Sequence, residues 1–135
     1  MLRFVARLPF YFSKITPQRI QNEKLGRWAE LVVKYALLMG GYRCIEHRYT
    51  NPFGELDLVF KKKSQLIFCE VKYRETYDLG AISITHHQKN RIKKGAQYFF
   101  AHHPHLTGLD CRFDAMIVTP KRFHWIKDAW QMEST

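Results

Sequence analysis

Hydrophobic positions follow two different periods along this chain, and the switch between them outlines the fold. Leu25, Trp28, Ala29, Val32, Val33 and Ala36 recur at helical spacing. That spacing predicts an amphipathic helix over residues 17–39, stopped by Gly40-Gly41. Strands are then expected over residues 44–49, 55–61 and 66–74, with breaks at Thr50-Asn51-Pro52 and at residues 62–65. A second helix is signalled by Thr85-His86-His87-Gln88, which has the form of a capping box. Ile92, Ala96 and Phe99 continue its apolar face and Pro104 closes it. Residues 111–118 and 123–126 read as two further strands. Helix, strands, helix, strands predicts an α/β domain, a mixed sheet with helices on its faces.

The hairpin over residues 55–74 carries the chemistry. A turn centred between Lys63 and Ser64 sets Leu56 opposite Val71, Leu58 opposite Cys69 and Phe60 opposite Ile67, so that one face becomes wholly apolar. The same register sets Asp57 opposite Glu70 and Glu55 opposite Lys72. Two facing carboxylates, their side-chain origins ~5 Å apart, repel each other unless a positive charge lies between them. Mg²⁺ or Mn²⁺ meets that need, because a hard cation accepts one or two carboxylates and still takes phosphate oxygens. Lys72, one strand repeat beyond Glu70, is placed to orient an attacking water or to stabilise developing negative charge. The plainer alternative is an amphipathic hairpin whose Glu and Lys side chains form cross-strand pairs.

Charge adds a partner to this picture. The chain has 135 residues, with 22 Lys+Arg against 12 Asp+Glu, a net charge of +10. Such an excess favours polyanions, whose condensed counterions are released on binding. Lys89, Arg91, Lys93 and Lys94 crowd two helical turns, Arg74 follows the candidate site, and Lys61-Lys62-Lys63 stand at the hairpin tip. These are the candidate nucleic-acid contacts.

Other features narrow the class. The length allows one domain over residues 21–130, with an N-terminal extension over 1–20 and a short tail over 131–135. Cys44, Cys69 and Cys111 are odd in number and widely spaced, so they are expected to be reduced thiols of a cytoplasmic protein. Apolar runs are too short for a membrane span. Asp114 is expected to pair with Arg112. His86-His87, His102-His103 and His105 lack the completing ligands of a zinc site at usual spacing.

Asp57, the hairpin and Glu70-Val71-Lys72 resemble the PD-(D/E)xK signature of the restriction-endonuclease-like fold. More closely, the chain is similar to the YraN-like bacterial family, related to Holliday-junction resolvases. The matching pieces run from residue 26 to 118: Gly26 and Glu30, Gly54-Glu55-Leu56-Asp57-Leu58, residues 68–74, Lys89, and Arg112-Phe113-Asp114. The resemblance implies a mixed sheet flanked by helices, a catalytic Asp57, Glu70 and Lys72 with Asp57 and Glu70 as metal ligands, and Glu30 as an accessory acid. Glu30 alone reads equally well as an i,i+4 partner of Lys34. The chain departs from the family pattern in its longer start, in Arg48 where Asn is expected, and in Leu56 where the signature has Pro. The expected activity is Mg²⁺- or Mn²⁺-dependent cleavage of DNA, branched DNA included, with a homodimer left open. The alternative is a DNA- or RNA-binding accessory module of the same fold that does not cut.

Overall fold

Six consecutive buried residues, Leu66 to Val71, form the middle of the sheet, because a strand covered on both faces needs apolar side chains on both. In the computed structural model, which describes residues 2–7 and 19–132, the strands are β1 (Leu2–Arg7), β2 (Arg43–Asn51), β3 (Gly54–Lys62), β4 (Gln65–Tyr73), β5 (Asp110–Val118) and β6 (Arg122–Trp130). They form one sheet in the order β1-β6-β5-β4-β3-β2. Only β4 and β5 run parallel; every other neighbouring pair is antiparallel.

The parallel pair requires a crossover, and two helices provide it: α2 (Tyr77–Ser83) and α3 (His86–His102), followed by a 3-10 turn at Pro104–Leu106. α1 (Arg19–Met39) covers the opposite face. Ala29, Val33 and Leu37 of α1 pack on Leu58, Phe60 and Ile67, whereas Ile92 and Phe99 of α3 pack on Val59, Phe68 and Phe113. Among the described residues no helix is long and apolar enough to cross a membrane. Cys44, Cys69 and Cys111 are free thiols, as their spacing predicts.

Most expected boundaries hold within two residues. Thr85 caps α3 by accepting from the Gln88 N–H at 3.2 Å, although the Gln88 side-chain oxygen finds no partner and does not complete the box. α1 ends in a Schellman arrangement, with Tyr42 N–H donating to Leu37 C=O at 2.9 Å and Gly41 at φ +87°. Leu37, not the exposed Ala36, completes its buried stripe. Pro17 lies outside the described residues.

Two elements were not expected. Leu2–Arg7, within the segment read as an extension, pairs antiparallel with β6 as the edge strand. α2 escaped notice because Gly80 lowers its helix propensity; a side chain at Gly80 would collide with Ile117, so the glycine allows α2 to sit directly on β5.

Asp114 is fully buried and holds a break in the β5–β6 ladder. Its carboxylate accepts from Arg112 Nε and Nη2 at 2.9 Å each, from Trp125 Nε1 at 2.8 Å, and from the Asp128 N–H at 2.9 Å, where Asp128 bulges at φ +55°. The pairing with Arg112 read from sequence is therefore structural.

Candidate active site

The β3–β4 hairpin closes in the expected register. Lys62 pairs with Gln65 across the two-residue turn, Phe60 with Ile67, and Leu58 with Cys69, while Lys63 takes φ +53° at the tip. Beyond Leu58 the ladder stops. Asp57 does not continue it as a backbone partner of Glu70, nor Glu55 as a partner of Lys72; Glu55 pairs with Thr50 on β2. Instead the Asp57 side chain enters the gap, and its Oδ2 accepts from the Val71 N–H at 2.8 Å. A carboxylate thus occupies the place of a backbone carbonyl. Leu56 correspondingly leaves the Leu58 face and packs over Gly95 of α3, so the apolar face inferred from sequence is interrupted there.

β2 also departs from ordinary strand geometry at this level. His47 pairs with Leu58 and Tyr49 with Leu56, and between them Arg48 adopts φ +58°. That left-handed conformation twists the ladder at the level of Asp57. Asn tolerates it better than Arg does, which gives a physical reason why Asn is expected at this position. Arg48 is anchored in return: its Nε donates to Glu30 Oε1 at 2.9 Å, and His47 Nε2 lies 3.0 Å from the same oxygen. Neither expectation for Glu30 describes this contact. Glu30 is bound to Arg48 and His47, and Arg48 also interacts with the charge of Asp57.

Asp57 and Glu70 come together as expected. Glu70 is 5% exposed. Asp57 keeps a partial opening to solvent but is enclosed mostly by protein. Burial raises the Asp57 carboxyl well above its ordinary range, and the hydrogen bond and charge of Glu70 raise it further; the Val71 N–H and Lys72 pull the other way. Lys72 Nζ stands 4.0 Å from Glu70 Oε2. Two neighbouring acids, flanked by one ammonium, form a pair that a divalent cation fits by chemistry: two oxygen donors, with the remaining positions left to water or phosphate. Among the described residues no third acid, His or Cys joins them as a ligand cluster.

Lys72 opens onto a groove of about 540 Å³ between α1 and the end of β4, bordered by Leu25, Gly26, Tyr73, Arg74 and Leu79. Gly26 leaves one wall bare; a methyl added there would meet nothing within 4 Å. Arg74 is exposed at the rim.

The other candidate contacts divide. Arg91 lies over Gly54, whose φ of +130° and missing side chain admit the guanidinium, and Lys94 stands 5.9 Å from the Phe53 ring. Both are therefore at the end of β3 that leads to Asp57. Lys89 is half-buried, 5.8 Å from the Trp130 ring. Lys93 is only 7% exposed, which corrects its reading as a surface phosphate contact. Lys61, Lys62 and Lys63 lie four to six residues beyond Asp57 at the hairpin tip, ~13–20 Å along the strand, too far to flank the acids. Lys62 itself packs on Tyr42 and donates to the Gly40 carbonyl at 3.1 Å. The paired histidines serve α3: His102 and His103 contact the Tyr98 and Phe99 carbonyls at 2.9 and 2.8 Å and stack on those rings.

The model of the uncharacterised protein family UPF0102 matches residues 29–118, from the middle of α1 to the end of β5. A UPF0102 protein of Bradyrhizobium diazoefficiens is 36% identical over 106 residues, 78% of this chain and 80% of that protein. One from Nitrobacter winogradskyi is 38% identical over 104 residues, 77% and 88% of the two chains. One from Parvibaculum lavamentivorans is 34% identical over 109 residues, 80% and 82%. The chain belongs to the UPF0102, or YraN-like, family of the restriction-endonuclease-like superfamily.

Proposed function

We propose that the protein is a Mg²⁺- or Mn²⁺-dependent endodeoxyribonuclease of the PD-(D/E)xK kind, acting on DNA in the cytoplasm. One observation carries this reading. The Asp57 carboxylate is drawn into the β3–β4 ladder by the Val71 N–H and pressed against buried Glu70, with Lys72 Nζ 4.0 Å from that acid. Pressing a second acid against Glu70 costs stability that a backbone carbonyl accepting from the same Val71 N–H would not, which is the mark of a site kept for chemistry.

Asp57 and Glu70 would hold the cation, which when bound lowers the pKa of a water and withdraws charge from a phosphate. Lys72 contributes a fixed positive charge at the mouth of the groove, where it orients the attacking water and offsets the charge that develops on the phosphorane. Arg74, Arg91 and Lys94 supply backbone contacts at the rim, with Lys89 further along α3.

A panel of duplex, single-stranded, nicked and four-way-junction DNAs, incubated with Mn²⁺ or with EDTA, tests the reading. Metal-dependent cleavage of at least one substrate is expected. Binding across the panel with no cleavage in Mg²⁺ or Mn²⁺ would establish the non-cutting module instead, and displacement of DNA by RNA would establish an RNA-associated role.

Gly26 offers a separate check. Gly26→Ala should stabilise α1 by about 0.5–1 kcal/mol, because a glycine within a helix costs that much and the methyl meets no neighbour. Gly26→Leu keeps the helix but narrows the groove beside Lys72, and should lower kcat/KM about tenfold or more by displacing the substrate. Equal activity of both variants would show that substrate does not use the groove.

A further inference from the structure

A second cavity, of about 380 Å³, opens between the segment leading into α2 and the turn joining β5 to β6. Its walls include Glu75, Thr76, Tyr77, Lys121, Arg122 and His124. The turn is fixed, since Thr119 N–H donates to the Arg122 carbonyl at 2.8 Å and Arg122 N–H to Thr119 Oγ1 at 3.1 Å. His124 is 6% exposed, and its Nδ1 has no hydrogen-bond partner among the described residues. A buried ring nitrogen left unpaired costs stability unless something enters the cavity to meet it.

The unexpected edge strand supplies a further cation. β1 pairs Val5 with His124, which puts Arg3 on the His124 face, its guanidinium 4.2 Å from the Tyr77 ring centroid. The Tyr77 ring in turn lies 4.7 Å from the His124 ring. Burial, Arg3 and Arg122, in that order, lower the His124 pKa and favour a neutral imidazole with one N–H to donate. Among the described residues, Arg3, Lys121 and Arg122 thus stand with one acid, Glu75, around an imidazole whose Nδ1 lacks a hydrogen-bond partner. Three cations and one unpaired nitrogen call for a compact, multiply charged oxygen anion.

Position narrows the anion further. Glu75 borders both this cavity and the groove beside Lys72. Lys72 and Glu75 are three residues apart on the chain, at most ~10 Å, so a phosphate held here would be a near neighbour of the one beside Lys72 on the same strand. We propose that this cavity is a second phosphate subsite, which takes a backbone phosphate of the DNA strand close to the bond presented to Asp57, Glu70 and Lys72. The inference rests on the nuclease reading of that groove.

The test uses the full chain with ¹⁵N-labelled histidine, carrying Glu70→Gln and kept in EDTA so that no strand is cut. A short oligodeoxynucleotide and, separately, inorganic phosphate are titrated at low salt. The His124 ring nitrogens should shift saturably with the oligonucleotide, with the same midpoint as binding measured by anisotropy. Arg122→Gln should weaken oligonucleotide binding about tenfold. In the otherwise native enzyme it should raise KM while leaving kcat nearly unchanged, as expected for a contact made equally before and during reaction. Lys121→Gln repeats the test from a second cation of the cavity wall, and melting curves verify that each variant is folded. An oligonucleotide that binds while His124 stays silent overturns the subsite and leaves the nuclease reading standing. A response to inorganic phosphate alone overturns the strand assignment in favour of a small-phosphate site. Absence of any oligonucleotide binding overturns both readings.

Discussion

Replacing Glu70 with Gln, or Lys72 with Ala, is expected to lower metal-dependent DNA cleavage by at least 10²–10³-fold while changing DNA affinity less than about threefold. The difference follows from geometry. Glu70 is 5% exposed and lies deep beside Asp57, and Lys72 Nζ is held 4.0 Å from it, so neither contributes much to the backbone-tracking surface. Ground-state affinity comes instead from the rim, where Arg74 and Lys94 are exposed. Groups that act together on one transition state are not additive, so the double variant should be scarcely worse than either single one. Binding is measured in Ca²⁺ or EDTA, and melting curves exclude loss of fold. Cleavage that survives both substitutions would place the active site elsewhere. A parallel loss of affinity and cleavage would make Glu70 and Lys72 binding residues only.

The reach of the sequence can be seen residue by residue. The hairpin register was legible because Leu58, Phe60, Ile67 and Cys69 must share a buried face, and a slip of one residue would expose them all. From that register the meeting of Asp57 and Glu70 followed. The manner of their meeting did not follow, because regular alternation cannot foresee a break in itself. Arg48 at φ +58°, the turning of Leu56 toward α3 and the capture of Asp57 by the Val71 N–H all belong to one local departure from the ladder. Departures of this kind are where local rules are expected to fail at a functional site. Lys93 was misread for another reason: a lysine next to a buried stripe can bury its long aliphatic stem, and helical spacing does not record that. β1 was missed because Arg3-Phe4-Val5-Ala6 is short, and its partner β6 lies more than a hundred residues away in the chain. With it went Arg3 and the cavity around His124, which only the folded sheet assembles.

Asp57 links stability to chemistry in one variant. Its carboxyl titrates above its unfolded value because burial and Glu70 disfavour the ionised form. The folded state therefore holds a proton more tightly than the unfolded chain does, and stability falls as pH rises from the unfolded pKa through the folded one. Without metal, this penalty grows across that window as the pair becomes doubly ionised. Asp57→Asn removes the charge but keeps a carbonyl oxygen to accept from the Val71 N–H. The variant should therefore be more stable than wild type by about 1–2 kcal/mol at neutral pH, the usual gain when an unfavourable feature of a functional site is relieved. The difference should shrink as pH falls toward the unfolded pKa. Mn²⁺ should reverse the order: a ligand bound only by the folded state stabilises it by about 2.7 kcal/mol at a hundredfold excess over its Kd, and only wild type retains both acids. Asp57→Asn should gain nothing from Mn²⁺ and should not cleave DNA. Calorimetry of both proteins between pH 4 and 8, with and without Mn²⁺ at matched ionic strength, separates this from a general salt effect, which would raise both melting temperatures alike. A metal-free Asp57→Asn protein that melts below wild type and still responds to Mn²⁺ would make Asp57 a structural acid that fastens β3 to β4, and the cation would have to be sought at another site.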